Sequence, residues 1–166
     1  MKCPPISELV EVLPDRLAKA FLAVLGSRLV SLALFGSYAR GDFGENSDVD
    51  VLVVLESVED RYTLQRELDK VEELLEPFFR CFREHGYYPQ LSPVVLSMEQ
   101  AGRSRPLYLD IVFDCKILYD REGFLKGVLE EIREKLREYG AKRVRVGKRW
   151  VTVLKEDYKF GEVIEF

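Results

Sequence analysis

Histidine is almost missing from this sequence: His85 is the single one in 166 residues. That leaves no material for a histidine-based metal cage or a Ser-His-Asp triad. His85 itself reads as a helix C-terminal residue favoured by the dipole. Cysteine is scarce too. Cys3, Cys81 and Cys115 are odd in number, far apart and never spaced as CxxC. They read as reduced thiols packing like small hydrophobes, with no zinc or disulfide framework. Asn46 is the lone asparagine, beside Gln65, Gln90 and Gln100. Few amides among many Glu, Lys and Arg point to a thermophilic source. No run approaches the ~18 apolar residues that a bilayer span needs. The opening MKCPPISELVEVLPDRL holds no apolar signal segment. The expected location is the cytoplasm, with no membrane partner.

A large excess of either charge is lacking as well. Lys and Arg total 25 against 29 Asp and Glu, a net charge of −4. Nothing global draws the chain to nucleic acid, which would have to meet a local basic patch. Such a patch exists in Lys142 to Arg149, KRVRVGKR. Its alternation reads first as the charged face of an edge strand, and second as a grip on an acidic acceptor, RNA or protein. With 47% hydrophobic and 33% charged residues, the composition is that of a folded chain able to bury a core. A single domain over residues 1–166 is expected, with a core from about 14 to 140 and a basic edge strand and extended tail from 141 to 166.

Hydrophobic spacing supplies the elements. Pro14-Asp15 looks like the opening of a first helix, with Leu17, Phe21, Val24 and Leu25 on one stripe and Gly26 as its stop. Leu29 to Phe35 is nearly all apolar, as in a strand covered on both faces. Leu64, Leu68, Val71, Leu75, Phe78 and Phe82 follow a helical spacing, which Pro77 should kink or split. Leu91 to Ser97 reads as a strand and Met98 to Arg103 as a short helix or turn. Leu107 to Leu118 reads as another strand. Asp120 then caps a helix with Leu125, Leu129, Ile132 and Leu136 on its stripe. Strands alternating with helices give an α/β or α+β class, with helices packed on a small sheet whose strand order stays open.

The chemistry concentrates between Leu32 and Leu55, LALFGSYARGDFGENSDVDVLVVL. An apolar strand runs into Gly36-Ser37, then a short helical segment near Tyr38 to Arg40. Glycine allows a ligand close to the backbone, and the following amides and the Ser37 hydroxyl can donate to a phosphate. Arg40 can add charge. Ser47 starts the return strand, on which Asp48 and Asp50 are two apart and so share a face. Two carboxylates side by side call for a cation, and hard oxygen ligands suit Mg²⁺ bridging to phosphate. A phosphate cradle facing a carboxylate pair implies metal-assisted phosphoryl or nucleotidyl transfer.

Gly36-Ser37-x-Ala39-Arg40-Gly41, a gap of five, then Ser47-Asp48-x-Asp50-Val51 resembles the signature of the DNA polymerase β-like nucleotidyltransferases, and most of all their minimal nucleotidyltransferase (MNT) members. Val51 stands where leucine is commoner. The resemblance implies a mixed sheet flanked by helices. It implies Mg²⁺- or Mn²⁺-dependent transfer of a nucleoside monophosphate from an NTP, with ATP the expected donor, to a hydroxyl acceptor. Gly36 and Ser37 would hold the triphosphate, with Arg40 and Ser47 also at the nucleotide, and Asp48 and Asp50 would bind metal. The family adds a third carboxylate from a later strand, which would bind metal with the pair and help activate the acceptor hydroxyl. Asp110 is preferred over Asp114 here because Leu107-Tyr108-Leu109 precedes it. Some MNT relatives are antitoxins that modify a HEPN-type partner. The rival reading is therefore a nucleotide-binding or antitoxin-like partner module with little catalysis of its own.

Overall fold

The computed structural model describes residues 2–164. A twenty-residue helix, α1 (Ile6–Leu25), leads into β1 (Leu29–Phe35). The four-residue α2 (Ser37–Arg40) and a loop connect β1 to β2 (Val49–Leu55). Then come α3 (Arg61–Glu84), β3 (Leu91–Ser97), α4 (Met98–Ala101), α5 (Leu107–Asp114) and β4 (Lys116–Asp120). The chain ends with α6 (Phe124–Glu138), β5 (Lys142–Val146) and β6 (Arg149–Val153). Among the described residues, no helix is long and apolar enough to cross a membrane.

The central sheet has the order β3-β2-β1-β4 and is mixed. β1 pairs antiparallel with both β2 and β4, while β2 and β3 run parallel. Both faces are covered, which is why β1 and β2 read as continuous apolar runs. The odd-numbered residues of β2, Val49, Val51, Val53 and Leu55, pack with Leu9, Leu13, Leu17 and Phe21 of α1 and Leu68, Val71, Leu75 and Phe82 of α3. Leu52 and Val54 face the other way, onto Tyr108, Ile111 and Val112 of α5 and Leu125, Leu129 and Ile132 of α6. Burying each such side chain contributes about 1.5–3 kcal/mol, so these two cores hold the sheet between its helices.

Several expectations need correction. α1 begins eight residues before Pro14, which lies inside it. The buried Leu9 and Leu13 extend the stripe ahead of the proline, and the core therefore starts before residue 14. Pro77 likewise sits inside an unbroken α3, whose two ends are fixed by Asp60 accepting from the Tyr62 amide and by His85 at the C-terminus. The His85 ring bonds the Pro4 carbonyl oxygen through Nε2 at 2.7 Å. Residues 107–118 are not one strand. Tyr108, Ile111 and Val112 are buried at helical spacing in α5, and β4 begins only at Lys116. The basic tail is not an edge strand of the central sheet: β5 and β6 pair antiparallel with each other. Gly147, with φ of +62°, makes the two-residue turn between them. Cys3 and Cys81 form a disulfide tying the start of the chain to α3, and Cys115 is free. The expectation of three reduced thiols fails because a sequence separation of 78 says nothing about spatial approach.

Asp120 does hold the start of α6, though not as its immediate cap. Its carboxylate accepts from the Leu125 and Lys126 amides and from Ser31 Oγ at 2.6 Å. That joins β4, α6 and the central strand through one side chain.

Candidate active site

The site forms where β1 ends and β2 begins. In the register of the two strands Phe35 lies opposite Asp50. Even-numbered positions of β2 face α5, so Asp50 points toward that side of the sheet. The chain then turns through Gly36, whose φ of +75° and ψ of −157° belong to a backbone region that only glycine occupies without strain. A Cβ at this position would overlap Asp50 Oδ2 and stand 3.2 Å from its Cγ. Gly36 is thus required twice, for its backbone conformation and for its contact with the carboxylate.

The α2 turn uses the Ala39 and Arg40 amides on the Gly36 carbonyl oxygen, at 3.1 and 3.0 Å. Tyr38 and Ala39 turn inward, and Tyr38 stacks on Phe43 at 4.5 Å and 6°. The Tyr38 hydroxyl is buried with no hydrogen-bond partner among the described residues, and burial, then Tyr87, push it up to about 12. Burial, then the neighbouring Asp48, raise the Asp50 carboxyl above its ordinary range. A side-chain hydrogen bond with Ser92 and the charge of Arg40 oppose that rise without cancelling it. Asp48 is exposed, one residue before β2.

A cleft of about 390 Å³ opens over these residues. Gly36, Ser37, Arg40, Asp50 and Asp110 line it, so five of the residues singled out in the sequence meet in one place. Asp110 reaches it from the first turn of a helix, not from a strand. Asp48 and Ser47 are not part of its lining. Ser47 Oγ accepts from the Gly44 amide at 2.8 Å and so shapes the approach to β2. Asp114, the alternative third carboxylate, receives hydrogen bonds from both Arg40 Nη1, at 3.3 Å, and Arg143. Arg40 also donates from Nε to Asp42 at 3.1 Å, so its charge is shared between two carboxylates.

The remaining lining was read in the sequence mainly as an exposed strand face. Arg143, Lys148, Arg149 and Trp150 of the β5–β6 hairpin form one wall of the cleft. The density of basic residues around Gly147 was the available signal, and recognising the hairpin turn would have sharpened it.

A divalent cation was tested against this geometry. The carboxylates at Asp48 and Asp50 are the hard donors that Mg²⁺ takes in twos, keeping waters and substrate phosphates for its other positions. The raised Asp50 carboxyl is a group that a cation would stabilise in its charged form. The chain fits on those counts. Among the described residues, however, no group of three or more His, Cys, Asp or Glu side chains could hold a metal ion, so Asp110 is not gathered with the pair into a ready three-carboxylate cluster.

A glycine backed against a carboxylate at the end of a strand, under a polar cleft, is an arrangement that could receive a phosphate. A family model described as a nucleotidyltransferase domain matches residues 6–81. A protein named as a protein adenylyltransferase in Methanocaldococcus jannaschii is 34% identical over 110 residues, 65% of this chain and 70% of that one. A second protein so named in the same organism is 41% identical over 51 residues, 31% of this chain and 50% of its own length. The chain belongs to the nucleotidyltransferase family. Among solved structures, a toxin–antitoxin structure with AMP-PNP shares 20% identity across 76% of this chain and 92% of that chain, at a TM-score of 0.47. A likeness of that size carries no functional weight.

Proposed function

We propose that this nucleotidyltransferase moves the AMP unit of ATP onto a hydroxyl of a protein acceptor. The carrying observation is the close approach of Gly36 to Asp50 in the lining of one cleft, which supports backbone there for phosphate and a carboxylate for metal. Asp48 and Asp50 would hold Mg²⁺, or Mn²⁺ in its place, and the backbone at Gly36 and Ser37 would take the triphosphate. The ion, when bound, supplies charge neutralisation at the α-phosphate and the leaving pyrophosphate. Asp110, exposed and in the lining of the same cleft, would take the acceptor proton. The acceptor oxygen then bonds to the α-phosphorus, the bridging P–O bond breaks, and pyrophosphate leaves with the electron pair. Arg40 acts at second hand: its pairs with Asp42 and Asp114 orient α2.

A protein acceptor is favoured because the relatives carry that activity in their names. The HEPN-type partner expected from the sequence resemblance falls within this class. Incubation with cell extract and ATP labelled at either the α- or the γ-phosphate tests the reading. Label should reach a protease-sensitive product from the α position only. Transfer from the γ position would overturn it, and a nuclease-sensitive product would move the acceptor to nucleic acid.

A further inference from the structure

The β5–β6 hairpin lies outside the residues 6–81 matched by the family model and, among the described residues, pairs with no other strand, yet it walls the cleft. Arg143 and Trp150 dock it. Arg143 donates to Asp114 on α5, and its guanidinium sits between the Phe113 ring at 5.5 Å and the Trp150 ring at 5.0 Å. Trp150 in turn donates from Nε1 to Asp42 at 3.4 Å. Because Arg40 binds both Asp42 and Asp114, α2, the loop after it, α5 and the hairpin share one connected set of charges.

This set decides which cations of the cleft are free. Arg40 and Arg143 are already paired with carboxylates. Lys148 and Arg149, at the hairpin turn, have no ion pair and no side-chain hydrogen bond among the described residues, and both line the cleft. Two uncommitted cations therefore line the same cleft as Asp50 and Ser37. Carboxylates and free cations lining one cleft of about 390 Å³ suit a metal-bound polyphosphate, with its outer phosphates reaching beyond the ion.

We propose that Lys148 and Arg149 bind the β- and γ-phosphates of the nucleotide, and that Arg143 is the positioning residue that keeps their hairpin over the site. The inference rests on the cleft being the nucleotide site. It makes the tail a working part of the donor half of the reaction, beside Arg40, whose charge is shared with Asp42 and Asp114.

Trp150 is the protein's single tryptophan and touches Arg143, so its emission reports where the hairpin sits. Calorimetric titration of the full chain with ATP, AMP and inorganic tripolyphosphate in Mg²⁺ gives the affinities. In K148A/R149A, ATP and tripolyphosphate should bind about tenfold or more weakly while AMP stays within about twofold. In R143A, the same split should come with a red-shifted, more mobile Trp150 at unchanged far-UV circular dichroism, which separates release of the hairpin from general unfolding. Wild-type ATP affinity in K148A/R149A, equal losses for ATP and AMP, or loss of acceptor labelling alone would each overturn the proposal. If the wild-type chain itself binds neither ATP nor AMP, the nucleotide reading of the cleft is what fails.

Discussion

Replacing Gly36 with alanine acts on the one contact that the proposed site cannot lose. Two terms follow from the structure. Alanine must hold a φ of +75° with a ψ of −157°, which for a residue with a Cβ costs about 1–3 kcal/mol. The new methyl also overlaps Asp50 Oδ2, so the carboxylate must swing aside by about 1 Å, a displacement that commonly reduces catalysis about 100-fold. Gly41 is the control. Its φ is +90°, but a Cβ there meets nothing within 4 Å. Gly41→Ala should therefore show the backbone cost alone, with transfer within about threefold of wild type. Denaturant unfolding supplies the stabilities, and the initial rate of α-phosphate label transfer supplies the activities. If Gly36→Ala transfers label as fast as Gly41→Ala, the idea that the glycine cradles Asp50 for chemistry is refuted.

Other expectations can be checked on the same preparations. Asp50→Asn should abolish transfer yet leave the fold at least as stable at neutral pH. The sign follows from the raised carboxyl: the penalty is absent below about 3.8, where the group is protonated folded or unfolded, and complete above the raised folded value. Wild type should therefore lose stability relative to this variant as pH rises through that window; a variant less stable at pH 7 than at pH 3.5, relative to wild type, contradicts the assignment. Tyr38→Phe removes a buried hydroxyl that bonds to nothing, and should raise unfolding stability by about 1 kcal/mol in a urea titration. Unchanged or lower stability would mean the hydroxyl has found a partner. Cys3→Ser opens a loop spanning a separation of 78 residues, for which chain entropy alone gives about 4 kcal/mol. Equal stability of the wild-type protein with and without reductant would argue against the bridge.

Much of the architecture could be read from the chain because its long elements keep one period throughout. The β1 and β2 runs and the α3 stripe are uniformly apolar where the sheet is covered, and composition and periodicity agree there. Residues 107–114 mislead because LYLDIVFD satisfies both periods: its β-branched and aromatic residues favour a strand, while the 108, 111, 112 spacing is that of a helix. Asp110 reached the cleft in spite of the wrong element. Pro14 and Pro77 mislead in the opposite sense, since packing on the sheet carries α1 and α3 through positions where proline removes only one backbone bond. The Gly36–Asp50 half of the site was legible because local turn chemistry and strand parity determine it. The hairpin wall was not, because docking through Arg143 and Asp114 depends on residues 29 apart meeting in space. The Cys3–Cys81 pairing was hidden for the same reason.

The most direct measurement compares wild type with Asp48→Asn/Asp50→Asn for transfer of α-phosphate label from ATP to a cell-extract acceptor, each with Mg²⁺ and with excess chelator. Labelled acceptor and stoichiometric pyrophosphate are expected only for wild type with Mg²⁺. Equal labelling by wild type and the doubly substituted protein, or labelling that persists in chelator, would contradict it.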